Sequence, residues 1–202
     1  MDVKGKILKS ALEIFINKGY YNARVEDIAE KAGVAKGTVY IYFKDKKSLF
    51  LSSIEYEIER FYSELKKIVS EDIELESKLK KLLKLIYDNL SKRKKYFESA
   101  IRLWPGELGE EIIKTILPHV KKITGGIEKV LKEGEKKGKF RFFDSPSSDS
   151  VILLGIVRSA AMSEVFFGKK VSFERAWKYI KEILKIKKES TMLNKHIGSV
   201  DG

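Results

Sequence analysis

Apolar residues recur along this chain at spacings of three and four, and no segment alternates with the period of two that a half-buried strand needs. The pattern predicts an all-α protein. Ile7, Leu8, Ala11, Leu12, Ile14 and Phe15 form one stripe and predict a helix over residues 3–18, stopped by Gly19. Val25, Ile28, Ala29 and Ala32 mark a short second helix that meets Gly33, and a third starts near Ala35 and carries Val39 and Phe43 inward. A long fourth helix over 46–69 places Leu49, Phe50, Ile54, Ile58, Phe61, Leu65 and Ile68 at helical spacing. A fifth, over 74–91, uses Leu79, Leu82, Leu83, Ile86 and Leu90.

Beyond it the pattern is more broken. Residues 96–104 read as a short apolar helix ended by Pro105-Gly106. Pro118 is expected to divide a helix over 107–116 from a longer one over 117–137, because proline removes a helix donor and clashes with the preceding turn. Gly138 and the stretch 144–149 form the clear loop, with Ser148 or Asp149 able to cap the next helix. Two helices close the pattern, over 149–167 and 172–188, and a loose tail is expected from Glu189. The first of these is apolar almost all round, which calls for burial on more than one side. About nine helices result.

Composition narrows the function. The chain has 202 residues and no cysteine, which excludes disulfides, thiol nucleophiles and sulfur-ligated metals. With only His119 and His196, no histidine-based metal site or triad is expected, and neither a metal nor a cofactor. His119 reads as a surface or packing residue, or alternatively as a hydrogen-bond partner for a small molecule. The phosphate loop G-x4-G-K-[ST], G-x-S-x-G and H-E-x-x-H are all missing, so no enzyme is expected. The longest unbroken apolar run, 151–157, ends at Arg158, and the first residues lead into a charged helix. No membrane span and a cytoplasmic location are therefore expected. Forty-one basic against 29 acidic residues give a net charge of +12, which suits a polyanion, nucleic acid before anionic membrane. A lysine-rich solvated surface is the other reading of that number.

One segment is more informative. Ala29 is small where the second helix must cross the third, and Gly33, four residues on, supplies a turn that needs a left-handed backbone. Val34 and Val39 pin the third helix, leaving Lys36, Gly37, Thr38 and Tyr40 on its outer face, as in a helix-turn-helix. From Lys31 to Lys47 there are five lysines and one acid, Asp45. An ordinary corner within a bundle is the alternative for the Ala-x3-Gly pair, and amphipathic packing the alternative for Tyr42. The string Gly19-Tyr20-x4-Val25-x-Asp27-Ile28-Ala29-x2-Ala32-Gly33-Val34-x-Lys36-Gly37-Thr38-Val39-Tyr40-x-Tyr42-Phe43-x2-Lys46-x2-Leu49 resembles the signature of the tetracycline-repressor (TetR) family of transcription regulators.

That resemblance implies an N-terminal three-helix DNA-binding domain (1–46) joined by a long helix to an effector-binding and dimerisation domain (47–190), before the tail 191–202. It also implies a homodimer released from a double-stranded operator by a small effector. Lys36, Gly37 and Thr38 would approach the major groove, Tyr40 and Tyr42 would hold phosphates, and Lys46 would meet a phosphate through its backbone N–H and its ammonium. Arg24 stands where the family usually has Thr or Ser. It cannot accept from a helix N–H, so the cap is lost or moves to Asn22, while its guanidinium can still reach a phosphate.

The C-terminal part carries many large apolar residues, which read as a ligand cavity or as plain core. Arg102 and Arg158 lie in apolar surroundings and call for partners. Those partners are internal, such as Glu98 or Glu164, or an acid across a subunit interface, or the acidic head of an effector. In the last case a fatty-acid or acyl-thioester-like ligand would lie against Phe61, Trp104, Leu117, Met162 and Phe166, with Arg158 as its clamp. Regulation by a protein partner without any small molecule is the alternative. Gly155, Ser159 and Ser163 recur every four residues beside Val151, Ile152, Ile156 and Val157, which predicts a homodimer through the last two helices.

Overall fold

The computed structural model describes residues 2–92, 107–142 and 144–184. The expected helix over 96–104, with Arg102 and Trp104, and the tail lie outside the described residues. The described residues form eight helices and no strand: α1 (Val3–Asn22), α2 (Val25–Ala32), α3 (Lys36–Tyr42), α4 (Lys46–Ser70), α5 (Leu75–Lys92), α6 (Glu107–Lys136), α7 (Pro146–Phe167) and α8 (Phe173–Ile183). Gly19 does interrupt α1. Its φ of 76° and ψ of 163° kink the chain before one last turn to Asn22, a conformation open to glycine.

Two apolar clusters form, and α4 runs through both. The first gathers Ile7, Phe15, Ile28, Val39, Leu49, Phe50 and Ile54 from α1–α4, and α6 adds Ile112 to it. The second gathers Phe61, Leu65, Leu79, Leu82, Ile127, Leu131, Leu153, Trp177 and Ile180 from α4–α8. Because α4 and α6 contribute to both clusters, a shift of either helix in one is felt in the other.

Two sequence expectations are corrected. Pro118 does not divide two helices but sits inside the continuous α6. Its missing N–H leaves the Lys114 carbonyl without a helical donor, and Lys114 and Pro118 are both exposed, so water can take that bond. The cap of α7 is neither Ser148 nor Asp149. Ser145 accepts from the Ser148 N–H, with Pro146 in the first turn, where a missing donor costs nothing. By length and composition alone α7 would suffice to cross a membrane, although Arg158 interrupts its apolar run. Its inner face packs on α5, α6 and α8.

Candidate functional site

The turn between α2 and α3 is built as the sequence requires. Gly33 is left-handed (φ 68°, ψ 37°), and the Val34 N–H donates to Ala29 O at 3.0 Å, closing the end of α2. Val39 is buried beneath α3, whereas Lys36, Gly37, Tyr40, Ile41 and Tyr42 are exposed and Thr38 is half-buried. Arg24 is also exposed and stands as N-cap of α2 without a side-chain cap, so that cap is lost rather than moved to Asn22. Ala35 leaves α3 uncapped in the same way, so unpaired N–H groups at both helix starts face solvent.

Three lysines of this region, Lys36, Lys46 and Lys47, are already engaged. Lys36 pairs with Glu26 across the α2–α3 corner, which holds the carboxyl below its usual range and raises the ammonium. The Lys46 Nζ donates to Tyr21 O at 3.0 Å and lies 4.9 Å from the centroid of the Tyr20 ring, and its partial burial lowers its pKa. Lys47 reaches Glu111 at 2.8 Å and Glu107 at 3.4 Å, tying the first turn of α4 to that of α6. Asp45 caps α4 by accepting from the Ser48 N–H at 2.7 Å, while its own N–H donates to Ser48 Oγ at 3.1 Å. Sequence reasoning did not single out Ile41, on the same exposed face as Gly37 and Thr38, or the Lys47 link. The second joins residues more than sixty apart, a separation no local pattern reveals.

A cavity of about 340 Å³ lies between α1, α4, α5, α6 and α7. Its walls are largely apolar: Phe61, Ile58 and Ile54 from α4, Ile86 and Leu90 from α5, and Ile112, Ile116, Leu117, Val120 and Ile123 from α6. Leu12 of α1 closes it toward the helix-turn-helix. Four polar side chains join them: Arg158, His119, Glu57 and Asn89. Phe61, Leu117 and Arg158 thus come together as expected of one site. Met162 is buried in the packing of α7, and Phe166 is exposed at its far end; neither lines the cavity. Among the described residues Arg158 forms no ion pair with Glu164 or any other acid. It is exposed and lines the cavity.

His119 is 5% exposed and lines this cavity from α6. Its Nδ1 has no accessible surface and lies 3.3 Å from Glu59 Oε1, off the line of a hydrogen bond. Lys122 donates to the same Glu59 oxygen at 2.7 Å and holds that carboxyl below its usual range. No cluster of His, Asp or Glu suited to a metal occurs among the described residues.

Residues 7–52 match the family described as bacterial regulatory proteins, tetR family. The fatty acid metabolism regulator protein of Bacillus subtilis is 32% identical over 74 residues, 37% of this chain and 38% of that protein. The first four curated relatives are matched over only 22% to 39% of their own lengths. Solved structures extend the likeness to the whole fold. The fatty acid degradation regulator FadR from Bacillus halodurans is 25% identical with a TM-score of 0.64, over 89% of this chain and 96% of that one. The regulator FadR from Bacillus subtilis, solved in complex with stearoyl-CoA, has a TM-score of 0.65 at 22% identity, over 89% and 96%. With the glycine turn and the outward face of α3 both inside the matched residues, this chain carries the N-terminal helix-turn-helix region of the TetR family of bacterial regulatory proteins, and the helical body behind it shares the fold of solved regulators.

Proposed function

We propose that this protein is a cytoplasmic, ligand-responsive repressor that binds a pseudo-palindromic operator as a homodimer and is released by a largely apolar effector with an acidic head. The observation that carries the DNA-binding part is the exposed face of α3, with Lys36, Gly37, Tyr40 and Tyr42 outward and Val39 alone buried beneath. Lys36, Gly37 and Thr38 enter the major groove. Tyr40, Tyr42, Arg24 and the start of α4 at Lys46 hold phosphates on either side. Residues 1–46 form the DNA-binding unit and 47–190 the effector and dimerisation unit.

The 340 Å³ cavity, within the usual range for small-molecule sites, supports the effector reading. Its apolar walls suit an acyl chain, and the unpaired Arg158 among its lining residues suits a carboxylate or phosphate. The relatives' names point to the same chemistry, since they regulate fatty acid metabolism or degradation and one was solved with stearoyl-CoA. Dimerisation is supported by the outer face of α7 and α8. Val151, Ile152, Gly155, Ser159, Phe166, Phe167 and Tyr179 are exposed there, more apolar surface than a monomer normally shows. Ser163 does not belong to that face: it is buried, donating to Ala160 O and accepting from the Val171 N–H.

The deciding experiment is operator binding by the full chain, titrated with long-chain acids, their thioesters and hydrophobic cations. Acids or thioesters are expected to release DNA, and Arg158→Ala is expected to blunt that response. Release by cations alone would reject the acidic head. Unchanged operator binding by a Tyr40→Ala/Lys46→Ala variant would reject the DNA interface.

A further inference from the structure

Two polar anchors of different kinds meet the cavity, and an unsubstituted acid uses only one of them. Arg158, exposed and without an acidic partner, is suited to an anion. His119 is different. It is buried on the wall of an apolar cavity, and its Nδ1 faces a carboxylate at 3.3 Å. A lone pair on Nδ1 would be repelled by that carboxylate, so the proton belongs on Nδ1, and Nε2 keeps its lone pair. Lys122 also donates to Glu59 Oε1, at 2.7 Å, so that carboxylate already has a cation of its own. Nδ1 has no accessible surface, which makes Nε2 the nitrogen available to the cavity. No hydrogen bond within the described structure uses it.

We propose that the cavity selects an amphipathic acid bearing a hydroxyl on its apolar body, with the hydroxyl donating to His119 Nε2 while the acidic head meets Arg158. The inference rests on reading the cavity as the effector site. An acceptor held in an otherwise apolar wall rewards a ligand that brings a donor and is left unsatisfied beneath a plain hydrocarbon chain. Asn89 carries both a donor and an acceptor and so does not discriminate in this way. Glu57 lies 3.0 Å from Arg60, which draws its carboxylate toward its own helix. His119 is therefore the group that tells a hydroxylated chain from a plain one.

The test is calorimetric titration of the full chain with tetradecanoic acid, with its monohydroxy derivatives substituted at successive positions, and with the corresponding methyl ethers. One hydroxyl position is expected to tighten binding about tenfold over the plain acid. The matching methyl ether, which cannot donate, is expected to lose the gain. His119→Phe is expected to abolish the difference between the hydroxy acid and its methyl ether. If that variant does not fold, the hydroxyl-against-ether comparison on the unmodified chain decides alone. Binding of plain acid with no gain at any hydroxyl position, or a gain retained by the ether, overturns the proposal and leaves the effector reading standing. Failure of every acid to bind overturns both.

Discussion

Single residues set how strongly the DNA face can act. Lys36 is expected to be a groove contact, yet its ammonium is held by Glu26, so DNA must compete for it. An exposed pair of this kind is worth little, and Glu26→Gln is expected to tighten operator binding about two- to fivefold, with a steeper salt dependence. Electrophoretic or fluorescence titration at two salt concentrations checks this; weaker binding by Glu26→Gln would show that Glu26 orients Lys36 instead of withholding it. Lys36→Ala and Thr38→Ala are expected to blur base preference, whereas Tyr40→Phe should weaken all sequences alike. At this scale the sequence was informative wherever chemistry is local. The left-handed Gly33 and the uncapped Arg24 follow from residue type alone. The Glu26–Lys36 pair does not, because it needs two helices to be set at an angle first.

Among the elements, α4 and α6 are the two that single substitutions can probe. The capping box at Asp45 fixes where α4 starts, and therefore where Lys46 stands. Asp45→Ala is expected to cost about 1 kcal/mol in urea unfolding. The Ser48 N–H bond depresses the Asp45 carboxyl below its ordinary value of 3.8 in the folded state. Its contribution is therefore full above that value and fades as pH falls through the lowered native one. Asp45→Asn keeps the acceptor and is expected to flatten this acid limb of the stability profile; an unchanged limb would assign the acid sensitivity to other carboxylates. In α6, Pro118→Ala returns a donor to the Lys114 carbonyl and is expected to stabilise the fold by about 1 to 3 kcal/mol. It should also weaken cavity ligands, since Leu117 and His119 flank the proline and line the site. Unchanged ligand affinity would show that the proline does not shape that wall. Sequence reading broke α6 at Pro118 because proline disfavours a helix interior. Burial of Ile112, His119, Ile127 and Leu131 along one face outweighed the lost bond, and that burial is a tertiary fact.

For the whole molecule, the exposed apolar surface of α7 and α8 predicts a dimer at micromolar concentration by sedimentation equilibrium. Phe167→Glu is expected to shift it toward monomer, and a wild-type monomer at that concentration would remove the symmetric operator from the reading. With roughly six or more phosphates contacted per dimer, operator affinity is expected to fall about a thousandfold between 50 and 200 mM salt. A flat salt response would place the binding energy elsewhere than in the lysines and tyrosines of the N-terminal helices.

The sequence alone determined the all-helical class, the helix-turn-helix and its outward residues. Those depend on periodicity, on a glycine that must be left-handed, and on side chains a few positions apart. It also marked Phe61, Leu117 and Arg158, because an arginine in an apolar helix and surplus large side chains are visible as composition. Only the tertiary structure decided which of them share a cavity. Met162 and Phe166 follow Arg158 at four-residue steps along one side of α7, but they stand one and two turns further on, where Met162 is buried in the helix packing and Phe166 is exposed. The same holds for Leu12, in the helix-turn-helix half, and Ile54, in the long helix behind it, which line the same cavity. Nor could the chain order show that His119 would be buried beside Glu59, sixty positions away. Contacts of that span arise when α4 and α6 pack together, and the cavity between them exists in no segment taken by itself.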